Sequence, residues 1–223
     1  MDQNPQSVVR VSQAVLATNS LIRNTYTLLS MTLLFSAAMA GVAMTTNAPM
    51  MNIWIVLGGY FGLLFLTNAL RNSAWGLLSV FALTGFMGYT LGPVLNAYIA
   101  HYSNGSQLVA YALGSTGVIF LGLSGYALTT RKDFSFMGGF LMVGILVAFI
   151  AGIANIFLAI PALALAVSSM FVLLMAALIL FQTSAMVHGG ETNYILATIT
   201  LYVSIYNLFT SLLQLFGVFG GDD

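Results

Sequence analysis

Seven long apolar stretches follow one another along the chain, separated by short polar clusters. Each stretch stays apolar for about 20 residues, which is typical of membrane-spanning helices, whereas barrel strands alternate apolar and polar positions. Backbone amides inside a bilayer need internal partners, so such stretches fold as helices. The pattern predicts an all-α integral membrane protein, a bundle of seven helices at residues 25–43, 53–70, 74–100, 108–129, 134–157, 160–186 and 194–219.

The break between the fifth and sixth helices depends on length, because residues 134–186 contain no charge. One helix of that length would be about 80 Å long, more than twice the thickness of a bilayer core. The stretch must therefore cross twice. Pro161 fits the first turn of the returning helix, where its missing N–H is not needed.

The basic residues predict the orientation, since loops rich in Lys and Arg stay in the cytoplasm. With seven helices, all five basic residues fall on one side: Arg10, Arg23, Arg71, Arg131 and Lys132. We therefore expect the N-terminus in the cytoplasm and the C-terminus outside it.

The chain divides into a transmembrane domain at residues 25–219 and two tails. We predict a flexible cytosolic tail from Met1 to Asn24, because its composition is polar and mixed. Residues 220–223 form a short acidic tail. An alternative is a signal peptide cleaved after Ala38-Met39-Ala40, which would leave six helices, but the polar segment before it is long for a signal peptide.

Composition excludes several classes of function. The chain is 60% apolar and 4% charged, with five basic and five acidic residues, so we expect no nucleic-acid partner and a lipid bilayer as the solvent. It has no cysteine, and its two histidines have no acidic cluster nearby, so we expect no metal site. No glycine-rich phosphate loop occurs, and we expect no cofactor.

A polar stripe runs along helix seven at helical spacing, formed by Asn193, Thr200, Ser204, Asn207, Ser211 and Gln214. A membrane helix with such a stripe should face other helices, so we expect helix seven at the centre of the bundle. The stripe fits two interpretations. It joins helices by hydrogen bonds, or it lines a path for a solute or ion.

Other polar and small residues lie inside or at the ends of the predicted helices. Gln182 is a neutral amide within helix six. We expect the Asn96 and Asn155 side chains to hydrogen-bond to unpaired backbone groups at helix ends or kinks. Asp133 should cap the start of helix five. The glycine pairs 58/62 and 88/92 have the spacing of close helix contacts.

An enzymatic interpretation depends on Ser124. Gly122-Leu123-Ser124-Gly125 matches the short pattern of rhomboid intramembrane proteases, with His188, predicted in a loop, as a nominal base. Because small residues are common in membrane helices and no further rhomboid-like context occurs, we expect no enzyme.

Three segments resemble the Bax inhibitor-1 family of seven-helix membrane proteins. They are Arg23-Asn24-Thr25-Tyr26, the run from Thr130 to Gly139, and the run from His188 to Tyr194 with its continuation from Leu201 to Phe209. Within that family the chain is similar to the bacterial YccA group. This resemblance implies association with the inner-membrane AAA protease FtsH and its membrane-associated regulators.

The chain departs from the family at two positions. Members described as pH-sensitive calcium leaks carry a buried aspartate pair, whose positions here read Gln182 and Ser204. Neither group titrates near neutral pH. The resemblance implies that Gln182 and Ser204 approach one another, near Arg71 at the cytoplasmic mouth.

We expect a non-enzymatic modulator, and slowly processed client, of FtsH in membrane-protein quality control. The tail from Met1 to Asn24 would be the segment that the protease engages. The alternatives are an ion leak channel, with weak pH dependence, and an intramembrane serine protease that uses Ser124.

Overall fold

The computed structural model describes the backbone of residues 5–221 and the side chains of residues 16–221. Within these residues it has no strand and seven α-helices: α1 Pro5–Thr45, α2 Ile53–Leu70, α3 Trp75–His101, α4 Gly105–Thr130, α5 Gly138–Leu158, α6 Pro161–His188 and α7 Tyr194–Gly220. A short 3₁₀ turn, Ser135–Met137, precedes α5. All seven helices are long and apolar enough to cross a membrane. The predicted all-α multi-pass fold is confirmed.

Three predicted boundaries are wrong. Helix α5 begins at Gly138 and not at residue 134, because the 3₁₀ turn precedes it. His188 is the last residue of α6, whereas we expected a loop. Helix α1 begins at Pro5 instead of Thr25, because residues 6–24 contain no glycine or proline to stop it. The change in hydropathy near Thr25 predicts where the chain enters the lipid, but it does not predict where helix α1 begins. The segment predicted as the N-terminal tail is therefore helical from Pro5 onward, and residues 1–4, 222 and 223 lie outside the described part.

Helix α7 lies at the centre of the bundle, as its polar stripe predicts. It packs against α1, α3, α4 and α6, and buried residues occur along it from Ile195 to Gly217. Helices α2 and α5 lie at the periphery, where α2 packs on α3 and α5 packs on α6. A polar side chain on α7 consequently meets protein, and one on the outer faces of α2 or α5 meets lipid.

Only one of the two glycine pairs makes a close helix contact. At Gly92 an added Cβ would lie 2.7 Å from the backbone oxygen of Ala40, and at Gly88 it would meet the backbone oxygen of Ser36. At Gly58 and Gly62 nothing lies within 4 Å of an added Cβ. Close packing therefore joins α1 to α3, and the same spacing on α2 faces open space.

Side-chain amides satisfy backbone groups at the end of the bundle opposite Arg71. Asn96 Nδ2 donates to the carbonyl of Met44 at 3.0 Å, and Asn155 Oδ1 accepts from the amide of Ile160 at 3.1 Å. Both predictions about helix ends are confirmed. Pro161 opens α6, also as predicted.

Candidate functional site in the polar core around α7

The first residue of the polar stripe, Asn193, ties the start of α7 to the α2–α3 connection. Its Oδ1 caps α7 by accepting from the amides of Ile195 and Leu196 at 2.9 and 3.2 Å. Its Nδ2 donates to the carbonyl of Arg71 at 3.1 Å and to Oδ1 of Asn72 at 2.9 Å. A single side chain thus serves as helix cap and as interhelical link.

Arg71 lies at this end of the bundle, which we call the basic end because Arg131 and Lys132 also lie there. Its exposed guanidinium donates through Nη1 to Asn68 Oδ1 at 3.2 Å, one turn earlier on α2. The contact with α7 runs through the Arg71 carbonyl instead. The Arg71 side chain is therefore a surface group.

Gln182 and Ser204 are both buried, but among the described residues no hydrogen bond joins them. The Ser204 hydroxyl donates to the carbonyl of Thr200 on its own helix at 2.7 Å. Gln182 Nε2 is buried and has no hydrogen-bond partner within the described part of the chain. A buried amide that has lost its hydrogen bonds to water and gained none in return destabilises the fold. The Gln182 side chain is therefore energetically unfavourable in the core.

The rest of the stripe divides between interhelical and local bonds. Gln214 Oε1 accepts from the Ser168 hydroxyl of α6 at 2.7 Å, whereas Asn207 Nδ2 donates to the carbonyl of Val203 at 2.8 Å. Ser211 is buried, and Thr200 is half-buried. The stripe therefore bonds to neighbouring segments at its two ends, while Ser204 and Asn207 near its middle donate to their own helix. This arrangement favours the first interpretation, hydrogen bonding between helices.

Tyr202 makes the central interhelical contact, which the stripe pattern missed. Its hydroxyl donates to the carbonyl of Thr84 on α3 at 3.2 Å. The Ser36 hydroxyl of α1 lies 2.6 Å from the same oxygen and donates to it, because the one tyrosine proton is already used. The three hydroxyl and carbonyl groups join α7, α1 and α3 in the buried core. In the sequence, the only indication of this contact was an aromatic residue on the helix face beside the stripe.

Beside Gln182, Thr183 links three helices. Its Oγ1 lies 3.3 Å from the hydroxyl of Tyr26 on α1 and 3.5 Å from Oγ of Ser124 on α4. Ser124 is thus part of a hydroxyl cluster. This role accounts for a serine in the apolar interior of α4.

The α4–α5 connection is held against α6 by Ser184 and His188. Ser184 Oγ donates to the carbonyl of Lys132 at 3.0 Å and accepts from the amide of Phe134 at 3.1 Å. The His188 ring nitrogens lie 2.9 Å from the carbonyl of Ser184 and 3.0 Å from that of Arg131. His188 is engaged with backbone, and the Ser124–His188 pair that a hydrolase would need is not formed among the described residues.

Asp133 does not cap α5 itself, contrary to our expectation, because α5 begins at Gly138; it binds the first residue of the 3₁₀ turn before that helix. Its Oδ1 accepts from the amide of Ser135 at 2.8 Å. This hydrogen bond from the backbone lowers the pKa of the Asp133 carboxyl, and His188 lowers it further by charge. Within residues 5–221, no group of three or more His, Cys, Asp or Glu side chains could hold a metal ion.

The fold and this polar core define a multi-pass α-helical membrane protein built around a buried seventh helix. The chain belongs to the Bax inhibitor-1 family, since the family model described as inhibitor of apoptosis-promoting Bax1 matches residues 18–221. It is 50% identical to the Escherichia coli K12 protein named modulator of FtsH protease YccA over 204 residues, 92% of each chain. It is 56% identical over 205 residues, again 92% of each chain, to an uncharacterized protein of Pseudomonas aeruginosa.

Another Escherichia coli relative, from strain O6:H1, is named inner membrane protein YccA and shows the same 50% identity over 92% of each chain. A protein of Helicobacter pylori is 30% identical over 223 residues, 97% of this chain and 93% of the relative. The family match at residues 18–221 thus extends over nearly the whole bundle, including α7.

Proposed function

We propose that this chain is a non-enzymatic modulator of an FtsH-type AAA protease in the bacterial inner membrane, with its basic end in the cytoplasm. The observation that carries the proposal is 50% identity over 92% of each chain to a protein named for that activity. The five basic residues support the orientation. An AAA protease that grips cytosolic segments would meet the basic end of the bundle.

The first part of α1 is the segment that we assign to the protease. Twenty helical residues from Pro5 to Asn24 extend over about 30 Å. Leu16 is 68% exposed, and packing against the core begins at Leu21 and Ile22. A helical segment that precedes the packed core at the cytoplasmic end gives an ATP-driven protease a part of the chain to grip.

The same helix explains why processing would be slow. Beyond Asn24, α1 continues without interruption into its contacts with α3 and α7. A force applied to α1 before Asn24 therefore acts on the Gly88 contact and on the Ser36–Tyr202 hydrogen bond at the same time. A client that engages readily and unfolds slowly occupies the protease and reduces degradation of other substrates.

The opposite end of the bundle also resists extraction. The Asn104 amide donates to the carbonyl of Gly220 at 2.7 Å, and the rings of Tyr98 and Tyr102 pack against Gly217. The end of α7 is thereby held to α3 and to the α3–α4 connection. Extraction that begins at α1 has to break these contacts last.

A deletion of residues 5–19 tests the assignment of the protease-engaging segment. We expect co-purification with the protease to fall and the half-life of the chain in cells to lengthen. The matched control replaces the same residues by a glycine- and serine-rich segment of equal length, which should restore degradation because it offers a flexible grip. Unchanged association and half-life in the deletion variant would contradict the mechanism.

The ion leak is a second candidate, because the unpartnered Gln182 amide marks an unsatisfied polar position inside the bundle. It predicts calcium flux into liposomes with weak pH dependence, since Gln182 and Ser204 do not titrate near neutral pH. Flux that is absent for the pure chain, beside a conducting aspartate-containing relative, would eliminate it.

A further inference from the structure

A cavity of about 610 Å³ lies among α2, α3, α5, α6 and α7, and none of the contacts described above uses it. Tyr60 lies seven residues into α2, about 10 Å along that helix, and Asn207 lies thirteen residues into α7, about 20 Å along it. In a hydrocarbon core of about 30 Å, both positions are near the middle of the membrane. The volume falls within the range of small-molecule sites.

The cavity opens sideways toward lipid. Its α5 wall includes Met142 and Leu146, which are 76% and 56% exposed on the surface of the bundle. Helices α2 and α5 meet through the edge-to-face rings of Phe61 and Phe149, with centroids 5.5 Å apart, and pack mainly on other helices. A molecule dissolved in the bilayer can therefore reach the cavity between α2 and α5 without passing through water.

Hydrogen-bonding groups line the wall of this otherwise apolar space. The Tyr60 hydroxyl has no hydrogen-bond partner among the described residues, whereas the Tyr206 hydroxyl, which lines the same cavity, has a side-chain hydrogen bond with Thr90. Asn207 bonds through Nδ2 to its own helix, and its amide oxygen has no partner within that part of the chain. A plain hydrocarbon chain would leave the Tyr60 hydroxyl without an acceptor at the middle of the membrane, at a cost in free energy.

The rest of the lining limits the ligand further. Among the described residues that line the cavity there is no Asp, Glu, Lys, Arg or His, so a charged head group would find no counter-ion there. Six of the lining residues are aromatic: Tyr60, Phe61, Phe86, Phe149, Phe171 and Tyr206. Such walls favour a flat, neutral ring.

We propose that this cavity binds the neutral head group of a bilayer-dissolved lipid, a flat ring with carbonyl acceptors of the quinone class. The Tyr60 hydroxyl donates to one ring carbonyl, the Tyr206 hydroxyl exchanges its bond with Thr90 for one to the other carbonyl, and the hydrocarbon tail leaves between α2 and α5. The site is independent of the protease-engaging segment, which lies at the basic end on α1.

The test uses the full chain in nanodiscs of synthetic dioleoyl phosphatidylcholine, which contain no quinone. Decylubiquinone is titrated, with native mass spectrometry for stoichiometry and the midpoint of thermal unfolding for affinity. We expect saturable binding of one molecule per chain. Decylbenzene, which keeps the ten-carbon tail and a ring but lacks carbonyls, should bind about tenfold or more weakly, because it makes no hydrogen bonds.

Two variants separate this site from general partitioning into lipid. The double substitution Tyr60→Phe with Tyr206→Phe keeps the rings and should weaken decylubiquinone binding about tenfold, leaving decylbenzene unchanged. Tyr111→Phe is the matched control, since Tyr111 is 60% exposed on α4, away from the cavity. It should bind as the wild type does.

Val203→Phe tests the location of the site independently. The larger side chain should fill the cavity from α7 and abolish decylubiquinone binding. Absence of saturable decylubiquinone binding to the wild type would overturn the proposal. Equal binding of decylbenzene, or a phospholipid chain retained equally by wild type and double variant, would show a hydrocarbon site only and also overturn it. Binding that survives Val203→Phe would exclude this cavity.

Discussion

The contact between α1 and α3 at Gly88 gives the sharpest test of the packing. In Gly88→Ala the new Cβ meets the backbone oxygen of Ser36, and a backbone atom cannot rotate away as a side chain can. The two helices would have to separate by about 1 Å to restore an ordinary carbon–oxygen distance. Overpacking of this kind costs about 1–3 kcal/mol, and the higher helix propensity of alanine returns at most about 1 kcal/mol. The shift also stretches the Ser36–Tyr202 bond, so we expect a net loss of about 2 kcal/mol.

Gly58→Ala is the matched control, because nothing lies within 4 Å of its added Cβ and only the helix propensity changes. It should leave the free energy of unfolding unchanged or raise it by up to about 1 kcal/mol. Reversible unfolding in mixed micelles, with both variants beside the wild type, measures the difference. Equal stability of the two variants, or a greater loss in Gly58→Ala, would refute the close α1–α3 contact.

Four further substitutions follow from the polar core. Tyr202→Phe should lower the free energy of unfolding by about 1–2 kcal/mol, since it removes two interhelical bonds, while the lipid-facing Tyr111→Phe should have no effect in the same assay. Gln182→Met should leave stability unchanged or raise it, because it removes a buried amide without a partner; a loss above about 1 kcal/mol would contradict that environment. Asn193→Ala should cost about 1–2 kcal/mol and speed hydrogen exchange in the first turn of α7, where a change confined to other helices would be inconsistent with the cap. The pKa of Asp133 is lowered in the folded state, so its contribution is present above the unfolded pKa of about 3.9 and lost as pH falls through the lower folded value. Asp133→Asn should therefore flatten the acid side of the stability profile, and an unaltered profile would exclude this role.

The sequence predicted the seven helices well because lipid imposes one rule on the whole chain. An apolar run of about 20 residues can only cross as a helix, so the ends of α2 through α7 fall close to the predicted positions. The same rule did not predict the start of α1, because the helix extends beyond its apolar run. Polar residues such as Gln13 and Asn19 end a hydrophobic run but do not end a helix.

Polar contacts in the core were harder to predict, because composition does not tell which neighbour a side chain meets. The stripe on α7 identified Asn193 and Gln214, which do bond to other segments, but also Ser204, which bonds to its own helix. Tyr202, the central link, reads in sequence as one more aromatic residue. The glycine pairs show the same limit, since Gly58 and Gly88 have identical spacing to their partners and opposite environments.

The most direct test of the proposed function is degradation by a purified FtsH-type protease reconstituted in one membrane with this chain and a second membrane substrate. We predict that the chain binds the protease, is itself degraded slowly, and lowers the degradation rate of the second substrate as the amount of the chain increases. Gly88→Ala, with its weakened α1–α3 contact, should be degraded faster and should protect the second substrate less. Degradation of the second substrate at the same rate with and without the chain, and no association with the protease, would contradict the account.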